Sequence, residues 1–218
     1  MFKMLDRLER LIFPDRLYCI CCGNYIDHTR TYGICDHCMD HIGWCNEPAE
    51  ERMGMTFVKC MDYGIYERSI IFAFKYNGRR YIARNVGEIL TDRLESLDIM
   101  ADFIVPVPIH RKKERKRGFN QSILMGKYLS QRTGIEFLPR CLERTRFTEP
   151  MRGLGPGERK ENIRGSIDFN SSYDRMIKNK KVILLDDFYT TGSTAVECRN
   201  ALIPQQPSEI IFLAFAAR

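Results

Sequence analysis

Val182-Ile183-Leu184-Leu185-Asp186-Asp187-Phe188-Tyr189-Thr190-Thr191-Gly192-Ser193-Thr194 decides the reading of this chain. Four aliphatic residues in a row make a strand buried on both faces, the kind that parallel sheets use. Two carboxylates stand at its C-terminal end, where open α/β sheets bind ligands. A tight hydroxyl-rich turn around one glycine follows and leads into a helix. Hydroxyls, turn amides and a helix N-terminus together suit an anion. No lysine is needed to hold a terminal phosphate there. The two acids upstream can accept hydrogen bonds from sugar hydroxyls. They would also repel a bare polyphosphate, so its magnesium complex fits better. A phosphate with a diol beside it describes a ribose 5-phosphate. Taken singly, Asp-Asp is an ordinary turn and Thr-Thr-Gly-Ser-Thr an ordinary N-cap cluster; their order after a buried strand gives them meaning. The chain has no G-x-x-x-x-G-K-[ST], and Gly153-Leu154-Gly155-Pro156-Gly157 does not match G-x-G-x-x-G.

Outward from this stretch, strands and helices alternate. Apolar periodicity predicts strands over 56–63, 103–107, 181–185 and 210–215. It predicts helices over 66–76, 80–97, 120–133 and 193–203, with one or two short strands within 137–147. Residues 148–164 read as a Gly- and Arg-rich loop. Residues 3–12 read as a short amphipathic helix ended by Phe13-Pro14. The order argues for an α/β protein with a mostly parallel sheet flanked by helices. We place a boundary near residue 50: an N-terminal helix and metal ribbon over 1–50, and the α/β domain over 51–218.

Nine cysteines, an odd number, in a chain whose N-terminus alternates charged with apolar residues, argue against a disulfide framework. Four fall into two C-x2-C knuckles, Cys19/Cys22 and Cys35/Cys38, twelve residues apart. This spacing puts four thiolates around one tetrahedral zinc ion, closed to water and therefore structural. The segment between is polar, so metal replaces a core there. Cys21 can compete for the first knuckle; His37 and His41 are possible substitutes in the second. Cys141 and Cys198 sit in apolar patterns and read as small core residues.

Composition bounds the rest. The 218 residues are 44% hydrophobic and 28% charged, ordinary for a globular protein and unlike a disordered or collagenous one. The longest apolar run, Ile210–Ala217, is far short of the ~18 residues a membrane span needs, and no signal peptide is legible. We therefore expect a cytoplasmic protein without membrane insertion. The net charge of +6 is concentrated in residues 101–150, which hold eleven basic and five acidic side chains. Such a surplus suits a polyanion, a phosphorylated small molecule or nucleic acid.

The stretch from Val182 to Thr194 closely resembles the phosphoribosyl pyrophosphate (PRPP) motif of type I phosphoribosyltransferases. Further stretches resemble the ComF (competence protein F) family: Phe74-Lys75-Tyr76-Asn77-Gly78-Arg79; Val105-Pro106-Val107-Pro108-Ile109-His110-Arg111 running into Arg117-Gly118-Phe119-Asn120-Gln121; and Thr148 to Leu154 with Glu158 to Gly165. With the two knuckles, the resemblance spans nearly the whole chain. It implies that Asp186 and Asp187 contact the ribose hydroxyls. Thr190, Thr191, Gly192, Ser193 and Thr194 would cradle the 5-phosphate. Val105–Arg111 would be the pyrophosphate loop, and residues 145–164 a mobile loop. PRPP-binding residues would include Lys75, His110, Arg111, Arg117 and Asn120, and catalytic ones Asp186, Asp187, Arg111 and Arg159. Arginines suit bidentate phosphate contacts, and six basic side chains surround one glutamate over 111–117. Where family members commonly carry Gln in the mobile loop, this chain has Met151.

The resemblance thus implies a PRPP-binding protein with magnesium and structural zinc, supporting DNA uptake in natural transformation. If it turns over, the reaction is pentosyl transfer from PRPP, with the acceptor open. Two alternatives stand beside it. One is a non-catalytic single-stranded DNA-binding module on the same scaffold, with Tyr76, Tyr81, Phe119 and Phe147 as stacking candidates. The other is a PRPP-sensing regulator. Other DNA-uptake proteins are expected partners.

Overall fold

The computed structural model describes residues 17–76, 78–147 and 156–218. The amphipathic segment read over 3–12, Met151 and Arg152 lie outside them. One six-stranded sheet organises the chain. Its strands are β1 (Glu50–Arg52), β2 (Met55–Asp62), β3 (Phe103–Pro106), β4 (Glu136–Phe137), β7 (Lys181–Tyr189) and β8 (Glu209–Ala217), in the order β1-β2-β8-β7-β3-β4. Only β1 pairs antiparallel, with β2; every other pairing in this sheet is parallel. A separate antiparallel pair, β5 (Leu142–Arg144) and β6 (Ile167–Phe169), stands beside it. The expected α/β class with a mostly parallel sheet is what the chain forms.

The two central strands explain the apolar runs. Ile210 to Ala217 of β8 are all buried, as are Val182 to Leu185 of β7, because helices cover both faces. On one side Ile183 and Leu185 pack with α2 (Ile65–Tyr76), α3 (Ile82–Ser96) and α5 (Gln121–Thr133). On the other, Val182 and Leu184 pack with Ile163 of α6 (Pro156–Ile163) and with Ala195, Cys198 and Leu202 of α7 (Ser193–Leu202). The alternation then slips. Phe188 joins the first side and Tyr189 the second, so β7 changes face at the Asp186–Asp187 pair. Cys141 and Cys198 are fully buried core residues, as read.

Three expectations are corrected. The loop read over 148–164 contains α6. A basic helix, α4 (Arg111–Arg117), and a short hairpin strand, β1, were not anticipated; neither carries an apolar period to betray it. The strand read over 181–185 runs on to Tyr189, past the acidic pair.

The N-terminal ribbon is built from turns, a 3-10 turn (Thr31–Gly33) and a short α-helix, α1 (Asp36–His41). Its apolar residues Ile20, Ile26, Ile34 and Ile42 share one core with Ile70, Phe74 and Leu90 of α2 and α3. Buried Glu67 adds a polar tie: its carboxylate accepts from the Gly43 amide at 2.7 Å and from the Gly64 amide at 2.8 Å. At the other helix contact, Gly87 of α3 lies so close to α5 that a Cβ there would meet Tyr128 Cβ at 2.7 Å.

Candidate functional site

The parallel register brings the end of β3, the end of β7 and the N-termini of α5 and α7 to one edge. There Asp187 is buried, and Lys75, from the last turn of α2, places Nζ 2.9 Å from its carboxylate. Asp186 is reached from α5: Ser122 Oγ donates to its Oδ1 at 3.2 Å, and the Asp187 amide donates to the same oxygen at 2.9 Å. Burial first, and then the charge of Asp187, push Asp186 up to about 7, against the pull of Lys75 and these two donors. Burial alone would depress Lys75, but the two carboxylates outweigh it and hold the ammonium charged above its ordinary range. Two acids and one lysine thus share a largely dry corner, with the charge on Asp186 poised near neutrality.

Next to the acids the chain turns through Thr190–Gly192 into α7. Gly192 has φ +73°, and a Cβ on it would meet Tyr189 Oη at 2.6 Å and Met53 Sδ at 2.8 Å. Any side chain here would be strained by the backbone and would have to displace the Tyr189 and Met53 side-chain ends. The Thr191 and Ser193 hydroxyls lie 3.1 Å apart. The turn, with Asp186, Tyr189 and Phe212, lines a concavity at the helix N-terminus. Hydroxyls beside a helix N-terminus are the kind of surroundings that suit an anion.

The third wall is basic. Asn120 caps α5, accepting from the Ser122 amide at 2.9 Å, and its Nδ2 donates to the Val107 carbonyl at 3.0 Å. Its amide is therefore engaged at both ends: it fixes the 105–111 loop against the serine that holds Asp186. His110 likewise caps α4, its Nδ1 accepting from the Lys112 amide at 3.1 Å. Arg117 donates to the Gln121 side-chain carbonyl and stands over the Tyr76 ring. The Nε2 of buried Gln121 has no partner among the described residues, a donor left over at the helix start. Arg111 is exposed and reaches Glu143 at 3.4 Å.

The sequence reading missed Ser122 and Arg144. Arg144, at the end of β5, lies within the field of Asp186 and Cys198 on one side and of His110 and Lys113 on the other. Burial first, and then the cations around them, depress His110 and Lys113. An anion among these groups would relieve that repulsion. Arg159 falls on α6, on the far side of the segment outside the description.

The four knuckle cysteines come together. Cys19, Cys22, Cys35 and Cys38 place their sulfurs within 4.8 Å of one another, with Cys22 and Cys35 at 3.7 Å. A tetrahedral zinc with bonds of about 2.3 Å spaces its sulfurs about 3.8 Å apart, so the group can hold one zinc ion. The Cys35 amide points at Cys19 Sγ, 3.4 Å away. Burial raises Cys19, but this amide and those of Cys22 and Cys21 outweigh it and lower the thiol. Cys21 is not one of the four: its sulfur donates to the Tyr66 carbonyl at 3.4 Å. His37 and His41 turn away too, His37 to the Tyr66 hydroxyl at 3.1 Å and His41 to the His37 carbonyl at 2.7 Å. Among the described residues this is the one group arranged to hold a metal. No helix among them is long and apolar enough to cross a membrane.

No protein-family profile matches the chain. Among curated proteins it is 26% identical over 197 residues to competence protein F of Haemophilus influenzae, covering 83% of each chain. It is 26% identical over 200 residues to DNA utilization protein YhgH of Escherichia coli (strain K12), covering 89% of this chain and 82% of that one. A solved structure of an allosteric regulatory enzyme of purine biosynthesis overlaps it with a TM-score of 0.40 at 16% identity, covering 61% of this chain and 25% of the other. The likeness to competence protein F carried by the motifs thus extends over most of the chain.

Proposed function

We propose that this chain binds PRPP, as its magnesium complex, at the C-terminal edge of the sheet, and that it serves DNA uptake in the cytoplasm. The observation that carries the reading is the β7–α7 turn, where two buried-strand carboxylates lead directly into a hydroxyl-rich anion cradle at a helix N-terminus. The 5-phosphate would sit at Thr190–Thr194, the ribose diol at Asp186 and Asp187, and the diphosphate along Val105–Arg111. Lys75, paired with Asp187 at 2.9 Å, would hold that carboxylate in place as an acceptor for a ribose hydroxyl. Ser122, held by Asn120, orients Asp186. Lys113, Arg117 and Arg144 would offset the diphosphate charge, with His110 a neutral hydrogen-bond donor and magnesium neutralising part of the charge when bound. The DNA role is taken from the names of the two relatives, competence protein F and DNA utilization protein YhgH.

If the site turns over, an acceptor lone pair forms the new bond at ribose C1. The C1–O bond breaks, and pyrophosphate leaves with its electron pair. Positioning and cationic stabilisation of the leaving group would supply the catalysis. One structural zinc ion at the four cysteines completes the assignment.

A second reading has its own observation. Helix α4 buries none of its residues, and Lys112 and Lys113 stand over the exposed Phe147 ring at 5.4 and 5.7 Å. A basic helix beside an exposed aromatic suits single-stranded DNA, whether or not PRPP binds.

The test is equilibrium binding of PRPP to the wild type and to an Asp186→Asn/Asp187→Asn double variant. We expect affinity to fall about 100-fold or more with both carboxyl groups gone. Equal affinity in a folded double variant would refute the site. Binding of a single-stranded oligonucleotide that falls steeply with salt, without PRPP binding, would select the second reading.

A further inference from the structure

The Thr190–Thr194 turn contains no basic residue. A hairpin from the far edge of the sheet lies against it. Between β1 and β2 the chain reverses through Met53 and Gly54, both at positive φ (53° and 69°). Three contacts hold the hairpin, two of them beside the turn and one on the last turn of α7. Met53 Sδ accepts from Tyr189 Oη at 3.8 Å and crowds Gly192. The Gly54 carbonyl accepts from Arg199 Nε of α7 at 3.2 Å. Arg52 lies over the Phe57 ring at 4.4 Å and the Tyr189 ring at 5.9 Å.

Arg52 is partnered by Glu50 at 2.6 Å, but both side chains are substantially exposed. Such a pair holds its partners weakly and exchanges readily. A phosphate dianion is a stronger, bidentate partner for a guanidinium than one carboxylate oxygen.

We propose that the β1–β2 hairpin completes the 5-phosphate subsite, with Met53 a positioning residue that props the Gly192 turn and Arg52 the cation that turns from Glu50 to the phosphate. This rests on the PRPP reading above and adds a specificity determinant to it. The subsite then selects a ribose that carries a 5-phosphate over one that does not.

The test uses two halves of PRPP as separate probes, ribose 5-phosphate and inorganic pyrophosphate, on the full chain. Arg52→Gln should weaken ribose 5-phosphate about tenfold, as expected for one charge-assisted hydrogen bond, and leave pyrophosphate affinity unchanged. Arg52→Lys should recover part of the loss. Met53→Ala should weaken ribose 5-phosphate in the same selective way, with Met53→Leu closer to wild type. Unchanged pyrophosphate binding also certifies that each variant is folded. If the wild type binds both probes and Arg52→Gln binds ribose 5-phosphate as tightly, the hairpin proposal is overturned and the PRPP site stands. If the variants weaken both probes equally, the hairpin is structural and the proposal also fails. If the wild type binds neither PRPP nor ribose 5-phosphate, the PRPP reading fails and takes this inference with it.

Discussion

Asp186 carries the sharpest consequence at the level of single residues. Its carboxyl is pushed up to about 7 by burial and by Asp187, from an unfolded value near 4. The native state therefore binds a proton that the unfolded chain has released between those values. Stability contributed by this group is present below about pH 4 and is lost as pH rises to about 7. Asp186→Asn should flatten that pH dependence and raise the melting temperature at pH 8 by a few degrees, since about 1 kcal/mol is worth roughly 2–4 °C in a chain of this size. Melts of both proteins at pH 5 and pH 8 check it; a variant that melts lower at pH 8 contradicts it. Glu67 is the opposite case. Its two buried acceptor bonds join the Gly43 turn to the Gly64 turn, so Glu67→Ala should cost roughly 3 kcal/mol in denaturant unfolding. The acidic pair was legible because strand, acids and turn are contiguous. Glu67, Ser122 and Arg144 were not, because each acts on at least one group 24 or more residues away in sequence. Such pairings are set by the sheet register, which no local pattern encodes.

Among the elements, those with a strong apolar period were read to within a residue or two: β2, α2, α3, α5, α7 and β8 all lie where periodicity puts them. Those that failed have no period. Helix α4 is Arg-Lys-Lys-Glu-Arg-Lys-Arg, held by the His110 cap and by Gly118 at its C-terminus rather than by burial. Strand β1 is three polar residues, placed by the hairpin turn. Helix α6 begins at a proline in a stretch whose glycines argued for a loop. The α3–α5 contact gives a test at this scale. Gly87→Ala places a methyl against Tyr128 and should cost about 1–3 kcal/mol through overpacking. The midpoint of denaturant unfolding should fall with an unchanged slope; no shift would mean that the helices move apart freely.

For the whole molecule, the cysteine ribbon and the sheet are separable in sequence but share a core in the fold. Ile20, Ile34 and Ile42 pack with Ile70 and Phe74, so a zinc ion organising the knuckles would also steady α2, whose last turn carries Lys75 beside Asp187. We expect about one zinc per chain by elemental analysis. Stripping it with a chelator should lower the melting temperature of the entire chain rather than that of a small fragment alone. Zinc-free protein with an unchanged melt would contradict that coupling. The central claim, that the sheet edge is a site for magnesium–PRPP, is tested most directly by calorimetric titration of PRPP into zinc-loaded protein with and without magnesium. The account predicts saturable binding that strengthens with magnesium, as two carboxylates beside a diphosphate require. Folded, zinc-loaded protein that gives no binding heat in either buffer would contradict it.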